Sequence, residues 1–444
     1  MNRNLFRRTI NSGTRFRKYP LLANLAVATA SLCISLIIAE LAFRLVFPLD
    51  SSQPFDFRIP HPVLGWVLRP NTTYLNEIPE GKVSVTYNSE GWRDLEHDVE
   101  KPNGVFRILV LGDSFMEANS VQLKETFARQ VEELARAHGN NVEVINLGVA
   151  GYGTLQEYLV FRDIGHLYNP DLVLVGFFDG NDLNNNSQEL ATILTEKGQV
   201  TNARPFLDLN ESERWTITPV DFEGAQRAYA SHRASLEASR HKLTERFVLL
   251  RLLSEGLERI PMPESLTSQE STRRPVDRSQ YELALMGVNY CVEPAEYTRA
   301  WDATGRIFAK FKEEVEANGA KLVVFTVPAM EEVSLEYMRA VKADVAYPDK
   351  LCLEEAPGHV RLSRLLTELD IEQISLLPDF RRVMREDDIN LYQSDLHWTP
   401  KGHALAAESV LSELTRRGFL PVSGKSYNNG LVAGFHIDDQ SKNR

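Results

Sequence analysis

The sequence predicts an α/β fold in which helices cover both faces of a parallel sheet. Two observations lead to this prediction: continuous apolar segments recur along the chain, and helical patterns separate them. Uninterrupted apolar runs are typical of strands that are buried on both faces, and their alternation with helices is typical of a parallel sheet. The predicted strands are residues 106–111, 142–147, 172–178 and 321–327, with a weaker one at 374–377.

Helical patterns follow or precede these strands. Before the fourth strand, one apolar stripe has the spacing of an amphipathic helix, and it consists of Trp301, Ile307, Phe308, Phe311 and Val315. A last helix is expected from Ala404 to Arg417. Because ligand sites of open parallel sheets form beyond the carboxyl ends of the strands, polar residues that directly follow each strand are the candidates for function.

The N-terminal part of the chain predicts a membrane anchor at residues 21–47, with an uncharged core from Leu21 to Ala39. At ~1.5 Å per residue this core is about 29 Å long as a helix, close to the ~30 Å hydrocarbon thickness of a bilayer. The preceding segment 1–20 is basic, which predicts a cytoplasmic N-terminus and a periplasmic, extracytoplasmic catalytic part at a bacterial inner membrane. A cleaved signal peptide that ends near Ala28-Thr29-Ala30 is the alternative.

Three further regions complete the expected organisation. Residues 48–105 alternate in short apolar and polar runs and predict a β-rich juxtamembrane collar. The main domain is expected at 106–420, with an insertion at about 184–294 that has few strand signals. A helix predicted near 233–260 within the insertion either packs on the core or has a lid or membrane-contacting role. The polar tail, 421–444, completes the chain.

Charge and cysteine content exclude several functions. The chain has 49 basic and 61 acidic side chains and a formal net charge of −12, so it repels phosphate backbones and no nucleic-acid partner is expected. Nucleotide-binding glycine motifs and HExxH are absent from the sequence, and three cysteines do not make a Cys-rich zinc site, so neither cofactor nor metal is predicted. Cys291 and Cys352 are either bridged or two free thiols.

Short polar motifs follow the predicted strands in a fixed order. Gly112-Asp113-Ser114 ends the first, Gly148 the second and Gly180-Asn181-Asp182 the third, and Asp395-Leu396-His397 precedes the last helix. A serine hydroxyl becomes a strong nucleophile when a base takes its proton. His397 is the candidate base, and in an extended loop Asp395 faces the same side and orients its ring. The predicted catalytic residues are therefore Ser114, His397 and Asp395.

Taken together, these motifs resemble the SGNH, or GDSL, hydrolase family, whose name-giving residues correspond here to Ser114, Gly148, Asn181 and His397. The resemblance covers roughly 106–420 and implies a flavodoxin-like three-layer α/β/α fold. It also implies an oxyanion hole made of the Ser114 N–H, the Gly148 N–H and the Asn181 side-chain amide. Phe115 departs from the family pattern, which has leucine there.

Other polar residues in and near these motifs are interpreted as structural. Asp113 and Asp182 are expected to bond backbone groups at turns or helix starts. His403, near the start of the last helix, is also expected to be structural.

This arrangement predicts acyl transfer through an acyl-serine. The expected activity is an esterase that removes acyl groups, mainly O-acetyl, from an extracytoplasmic carbohydrate or envelope glycan. The alternative is an O-acyltransferase that modifies an exported polysaccharide with the same triad and receives acyl groups from a membrane-protein partner. Residues 395–402 resemble a motif of SGNH-like acetylation proteins, although in some of those the motif precedes the serine. A non-catalytic envelope scaffold is the third hypothesis.

Overall fold

The computed structural model describes residues 20–46, 57–196, 204–208, 215–227, 229–230 and 278–421. The chain divides into two compact units, one made of 1–55 with 230–273 and the other of 56–229 with 274–444. The helix α1 (Pro20–Val46) belongs to the first unit. Three predicted features lie outside the described residues: the basic start of the chain, the helix near 233–260 and the polar tail.

The second unit contains the remaining elements. Its strands are β1 (Arg58–His61), β2 (Gly65–Leu68), β3 (Thr73–Ile78), β4 (Gly81–Thr86), β5 (Phe106–Gly112), β6 (Val142–Asn146), β7 (Leu172–Phe177), β8 (Phe206–Leu207), β9 (Ile217–Thr218), β10 (Lys321–Thr326) and β11 (Glu372–Ile374). Its helices are α2 (Ser114–Glu117), α3 (Phe127–Ala137), α4 (Thr154–Asp163), α5 (Asp182–Asn186), α6 (Gln188–Glu196), α7 (Arg278–Met286), α8 (Ala295–Ala317), α9 (Met330–Val333), α10 (Leu335–Asp344), α11 (Pro357–Glu368), α12 (Leu377–Arg385) and α13 (Pro400–Arg416).

The central sheet has five parallel strands in the order β11-β10-β7-β5-β6, which confirms the predicted parallel α/β architecture. Successive residues of a strand point to opposite faces. Accordingly, Ile108 and Val110 of β5 lie in one hydrophobic core, and Leu109 and Leu111 lie in the other. All four are fully buried. Burial on both faces is the physical reason for the uninterrupted apolar runs in the sequence.

Helices complete the two outer layers. Residues of α3, α12 and α13 belong to the core on one face of the sheet. Residues of α4, α8 and α11 belong to the core on the other. The predicted apolar stripe of α8 is buried there, because its side chains occupy the face of that helix that packs on the sheet.

Two element boundaries differ from the prediction. The weak strand was expected at 374–377, but β11 ends at Ile374 and α12 begins at Leu377. Proline in the first turn of α12 favours this start, because its missing N–H has no partner at a helix start in any case. The last helix begins at Pro400 rather than Ala404, since the Thr399 hydroxyl accepts the N–H of Gly402 at 3.2 Å and caps it.

The N-terminal helix α1 overlaps the segment predicted as a membrane anchor. Residues 20–46 are helical, and Leu25, Val27 and Ile38 on it are exposed. Across the described ranges, however, no helix combines the length and apolar character that a membrane crossing requires. The predicted transmembrane anchor is therefore not supported.

Two antiparallel strand pairs, β1 with β2 and β3 with β4, lie in the range predicted as a collar. Trp66 of β2, Tyr74 of β3 and Val85 of β4 are buried in the same core as Leu109 of the central sheet. The collar residues thus share the hydrophobic core of the α/β domain, and the pair β8 with β9 lies in the range of the predicted insertion.

Cys291 and Cys352 form a disulfide, with their Cα atoms 5.0 Å apart, whereas Cys33 is free and exposed. The sequence allowed either a disulfide or two free thiols at these positions, and the structure has the disulfide. The bridge joins the segment before α8 to the segment before α11.

Loss of this disulfide is expected to lower the free energy of unfolding. The two cysteines are 61 residues apart, and closure of a loop of that length in the unfolded chain contributes up to about 4 kcal/mol. Denaturant unfolding of Cys352→Ser should show the loss, and Cys33→Ser should unfold like the parent protein. Identical unfolding of Cys33→Ser with and without a reductant would contradict a stabilising bridge.

Candidate active site

Ser114 is the first residue of α2, and Asp113 alone separates it from the end of β5. Asp113 caps this short helix, because its Oδ1 accepts the Phe115 N–H at 2.9 Å. The first N–H groups of a helix have no partner within the helix, so the Ser114 N–H is available to a substrate oxygen. The turn thus brings a hydroxyl and a backbone donor to the same edge of the sheet.

The structure brings His397 to this serine although the two are 283 residues apart in sequence. The His397 Nε2 lies 2.8 Å from the Ser114 Oγ, which is hydrogen-bonding distance. The His397 side chain is 32% exposed, so the ring is held by the protein yet open to an incoming ester. This contact provides a base that can take the hydroxyl proton.

The segment that carries His397 is a tight turn rather than the extended loop expected from the sequence. Leu396 has a φ of 68°, in the left-handed region that residues with a side chain rarely adopt. The Gln393 N–H donates to the His397 carbonyl at 2.8 Å, and an isolated β-bridge pairs Tyr392 with Trp398. Asp395 and His397 meet because the chain reverses between them.

Asp395 lies beside the other ring nitrogen of the base. Its Oδ2 is 3.2 Å from the His397 Nδ1, an ion-pair distance, but the ring N–H is not aligned well enough to make a hydrogen bond. The Asp395 Oδ1 accepts the backbone N–H of His397 at 3.1 Å. Catalytic contacts are often loose without substrate, so the carboxylate is in place to orient and stabilise the imidazolium.

The pKa values of this pair shift in opposite directions. The close contact with His397 lowers the pKa of Asp395, although its partial burial acts in the opposite direction. Burial alone would lower the pKa of His397, but the Asp395 carboxylate outweighs burial and raises it above 6.5, with a further contribution from Asp113. The base is therefore protonated over more of the pH range than a free histidine.

Of the predicted oxyanion donors, Gly148 is placed differently from the expectation. Its N–H donates to the Asn146 side chain at 3.1 Å, and the space that a Cβ would take is filled by Met116 of α2. The missing side chain thus lets the loop after β6 pack on the serine helix rather than opening a path to substrate. Asn146 also donates to the Met116 carbonyl at 2.8 Å, which ties the same two segments together.

Asn181 follows β7 and occupies the N-cap position of α5. Its amide Nδ2 donates to the Asp113 Oδ2 at 2.7 Å. An amide nitrogen has two hydrogens, so the second remains for a substrate oxygen. Asp113 is fully buried, and it orients both the serine turn through Phe115 and this amide, a role that the tripeptide alone did not reveal.

The remaining polar residues of the motifs lie where a structural role would place them. The Asp182 Oδ2 accepts the Phe178 N–H at 2.8 Å within the turn that leads to α5. His403 is buried against Trp398, with 5.4 Å between ring centroids. Burial lowers the pKa of His403 to about 3, so its ring stays neutral.

The contact between Asn146 and Gly148 was not predicted from the sequence. The sequence does contain a signal for this contact, an Asn that stands two residues before a Gly at the end of a strand. An Asn side chain in such a position often bonds the backbone two residues further along the chain. Potential metal ligands also went unnoticed: in the described part of the chain, Asp179, Glu332 and His359 come close enough to share an ion.

Comparison with known proteins points to one family. Residues 290–432 match the family model described as "ALGX: SGNH hydrolase-like domain, acetyltransferase AlgX". No curated protein matches this sequence. The fold and this match define an enzyme that acts on acyl esters, an SGNH-type esterase or acyltransferase. Residues 290–432, about a third of the chain, are thus similar to an SGNH hydrolase-like domain.

Several solved structures are similar to this chain. They include an acetyl xylan esterase, AlAXEase, at 11% identity, covering 70% of this chain and 100% of that one with a TM-score of 0.34. Esterase EstA from Pseudoalteromonas sp. is 11% identical, covering 70% and 97% with a TM-score of 0.34. A lipase/acylhydrolase from Enterococcus faecalis is 12% identical, covering 72% and 100% with a TM-score of 0.34. Likenesses at this level do not assign a substrate.

Asn181→Ala is expected to lower kcat roughly a hundredfold with little change in KM, because one oxyanion donor contributes about 3 kcal/mol to transition-state stabilisation. Steady-state hydrolysis of a small aryl acetate measures the effect. Asn103→Ala, in an exposed loop, is the matched control and should behave like the parent enzyme. Equal kcat values for Asn181→Ala and Asn103→Ala would exclude Asn181 from the oxyanion hole.

The dependence of kcat/KM on pH should reflect the titration of His397 beside the Asp395 carboxylate. The base acts in its neutral form, so kcat/KM rises with pH and levels off above the raised pKa of His397. Asp395→Asn removes the charge that raises this pKa, so the inflection should move to lower pH and the plateau should fall by roughly a hundredfold or more. Asp387→Asn, on the exposed surface, should leave the profile unchanged. An inflection that stays in place in Asp395→Asn would show that another group titrates.

Proposed function

We propose that Ser114, His397 and Asp395 cleave acyl esters through an acyl-serine intermediate. The observation that carries this proposal is the 2.8 Å contact between the Ser114 Oγ and the His397 Nε2 at the carboxyl end of β5. A hydroxyl, a base and an adjacent carboxylate are the groups that nucleophilic acyl transfer requires.

The geometry leads to a two-step reaction. His397 takes the hydroxyl proton while the Ser114 Oγ bonds to the ester carbonyl carbon, and the carbonyl oxygen becomes an oxyanion. The Ser114 N–H and the second amide hydrogen of Asn181 stabilise that charge. His397 then gives its proton to the leaving alcohol as the C–O bond breaks. Water, activated by the same histidine, releases the acid and restores the free serine.

The proposed substrate is an O-acetylated carbohydrate or envelope glycan. The description of the matching family model as an acetyltransferase domain supports acetyl as the transferred group. The partly exposed His397 and Asp395, at 32% and 40%, support an ester carried on a large molecule that approaches from outside the protein.

An acetyltransferase that uses the same residues is the second candidate, and the description of the family model names an acetyltransferase. In that reaction a sugar hydroxyl, rather than water, takes the acetyl group from Ser114. Its partner would be a protein that delivers acetyl groups, as the sequence led us to expect.

We also propose that the catalytic unit works in an oxidising, extracytoplasmic compartment. The disulfide between Cys291 and Cys352 supports this location, because such bonds persist outside the cytoplasm and are rare within it. The basic N-terminal segment, which predicted a catalytic part outside the cytoplasm, agrees with this proposal.

Ser114→Ala is expected to abolish hydrolysis of a small aryl acetate and labelling by a fluorophosphonate probe. The full-length protein is labelled, and mass spectrometry locates the modified peptide. Ser363→Ala, on the exposed surface, should retain both activities. A label on any residue other than Ser114, or an equal rate in Ser114→Ala, would refute the proposed nucleophile.

Incubation with an acetyl donor separates the two candidate reactions. Release of free acetate at the same rate with and without an unacetylated glycan indicates the hydrolase. Accumulation of labelled acetyl groups on that glycan, lost in Ser114→Ala, indicates the transferase.

A further inference from the structure

Three buried side chains from separate elements meet beside the loop that carries Asn181. Asp179 follows β7, Glu332 lies in α9 and His359 lies in α11. They are 4%, 0% and 8% exposed. One ligand atom from each lies within 4.8 Å of the others, so the three side chains converge on one point.

Both carboxylates approach the same nitrogen of the histidine. The His359 Nε2 is 3.0 Å from the Glu332 Oε2 and 4.0 Å from the Asp179 Oδ2. A ring nitrogen carries at most one proton, so a single N–H cannot serve both acids. In the described residues, the Asp179 Oδ2 and the Glu332 Oε1 have no hydrogen-bond partner. Buried carboxylate oxygens without a partner are strongly unfavourable.

In the part of the chain that the structure describes, no lysine or arginine side chain pairs with either carboxylate group. Arg381 and Arg385 reach Glu332, but they donate to its backbone carbonyl at 2.9 and 3.2 Å. Within the described ranges, His359 is the residue at ion-pair distance from either carboxylate. With a metal bound, His359 would be neutral and both carboxylates ionised, and their two negative charges would balance a divalent cation.

We propose that Asp179, Glu332 and His359 bind one divalent transition-metal ion, with Zn²⁺ as the best match. Zinc accepts imidazole nitrogen and carboxylate oxygen at about 2.0–2.2 Å, so two of its ligands in a tetrahedral arrangement lie roughly 3.4 Å apart. The distances of 3.0 and 4.0 Å from Nε2 bracket that value. The imidazole disfavours Mg²⁺ and Ca²⁺, which prefer oxygen ligands.

A second histidine shows the contrasting arrangement. His97 also contacts two acids, but its Nε2 lies 3.1 Å from Asp94 and its Nδ1 lies 2.8 Å from Glu143. The two carboxylates are thus on opposite sides of the ring, and Arg129 and Arg107 pair with them. That cluster is satisfied by protons and guanidinium groups and has no common point for an ion.

The ion would connect three segments behind the active site. Asp179 is two residues before Asn181, whose amide is a proposed oxyanion donor. A metal bond at Asp179 would therefore fix the loop after β7 against α9 and α11 and hold that amide in position. The ion would stabilise and position the loop, and the acyl-transfer steps proceed on Ser114 and His397.

Metal analysis of the tag-free, full-length protein tests the proposal. After removal of metal with a chelator and addition of Zn²⁺, Mn²⁺, Mg²⁺ or Ca²⁺ separately, followed by dialysis, elemental analysis should find about one zinc per chain. The thermal unfolding midpoint should rise with Zn²⁺ and fall again with chelator. Asp179→Asn and Glu332→Gln, which preserve side-chain shape, and His359→Ala should lose the zinc and the shift.

Two controls separate this site from the catalytic residues. Ser114→Ala should bind zinc like the parent protein, because the ion does not depend on the nucleophile. His97→Ala should also retain zinc, since that cluster has no convergent ligands. Failure of the chelated parent protein to take up zinc, equal zinc content in Glu332→Gln, or retention of Ca²⁺ or Mg²⁺ in place of zinc would each overturn the proposal, whatever the esterase assay shows.

Discussion

The pairing of β5 with β7 is the constraint on which the candidate site depends. The two strands are parallel and in register to their ends, where Gly112 lies opposite Gly176. Ser114 and Asn181 therefore leave the sheet side by side. The chain runs from β5 to β6 on one side and then returns to β7 on the other, and crevices for ligands form where strand order reverses in this way.

Contacts from the collar hold the catalytic turn and the serine helix. The Ser394 N–H, directly before Asp395, donates to the Glu80 Oε1 at 2.7 Å. The Tyr87 hydroxyl donates to the Glu117 Oε1 at 2.6 Å, and the other oxygen of Glu117 accepts the Ala150 N–H. The β3–β4 pair thus supports the base and the loop after β6, so it is a working part of the catalytic unit rather than a spacer.

Strands buried on both faces were predictable, because burial demands an apolar residue at every position. The meeting of Ser114 with His397 was also predictable, because a serine that follows a strand needs a base nearby if it is to react, and the Asp395–His397 motif offers one. Local geometry that depends on contacts between distant parts of the chain could not be predicted. Leu396 adopts a conformation that leucine rarely takes, and only the surrounding turn imposes it. Asp179 and His359 come from segments whose spacing follows no pattern along the chain, so tertiary packing alone brings them together.

Aromatic packing explains why a bulky residue suits the position after the nucleophile. The Phe115 ring lies 5.1 Å from the ring of His397, 5.1 Å from Trp398 and 5.0 Å from Phe178. Asp395 is 40% exposed and imperfectly aligned with the base, so water competes with its orienting contact. Phe115 supplies a second restraint that water does not weaken, because it presses on the imidazole from the buried side. With phenylalanine in place of the family's leucine, the hydrophobic core therefore shares with the Asp395 carboxylate the task of orienting the His397 ring.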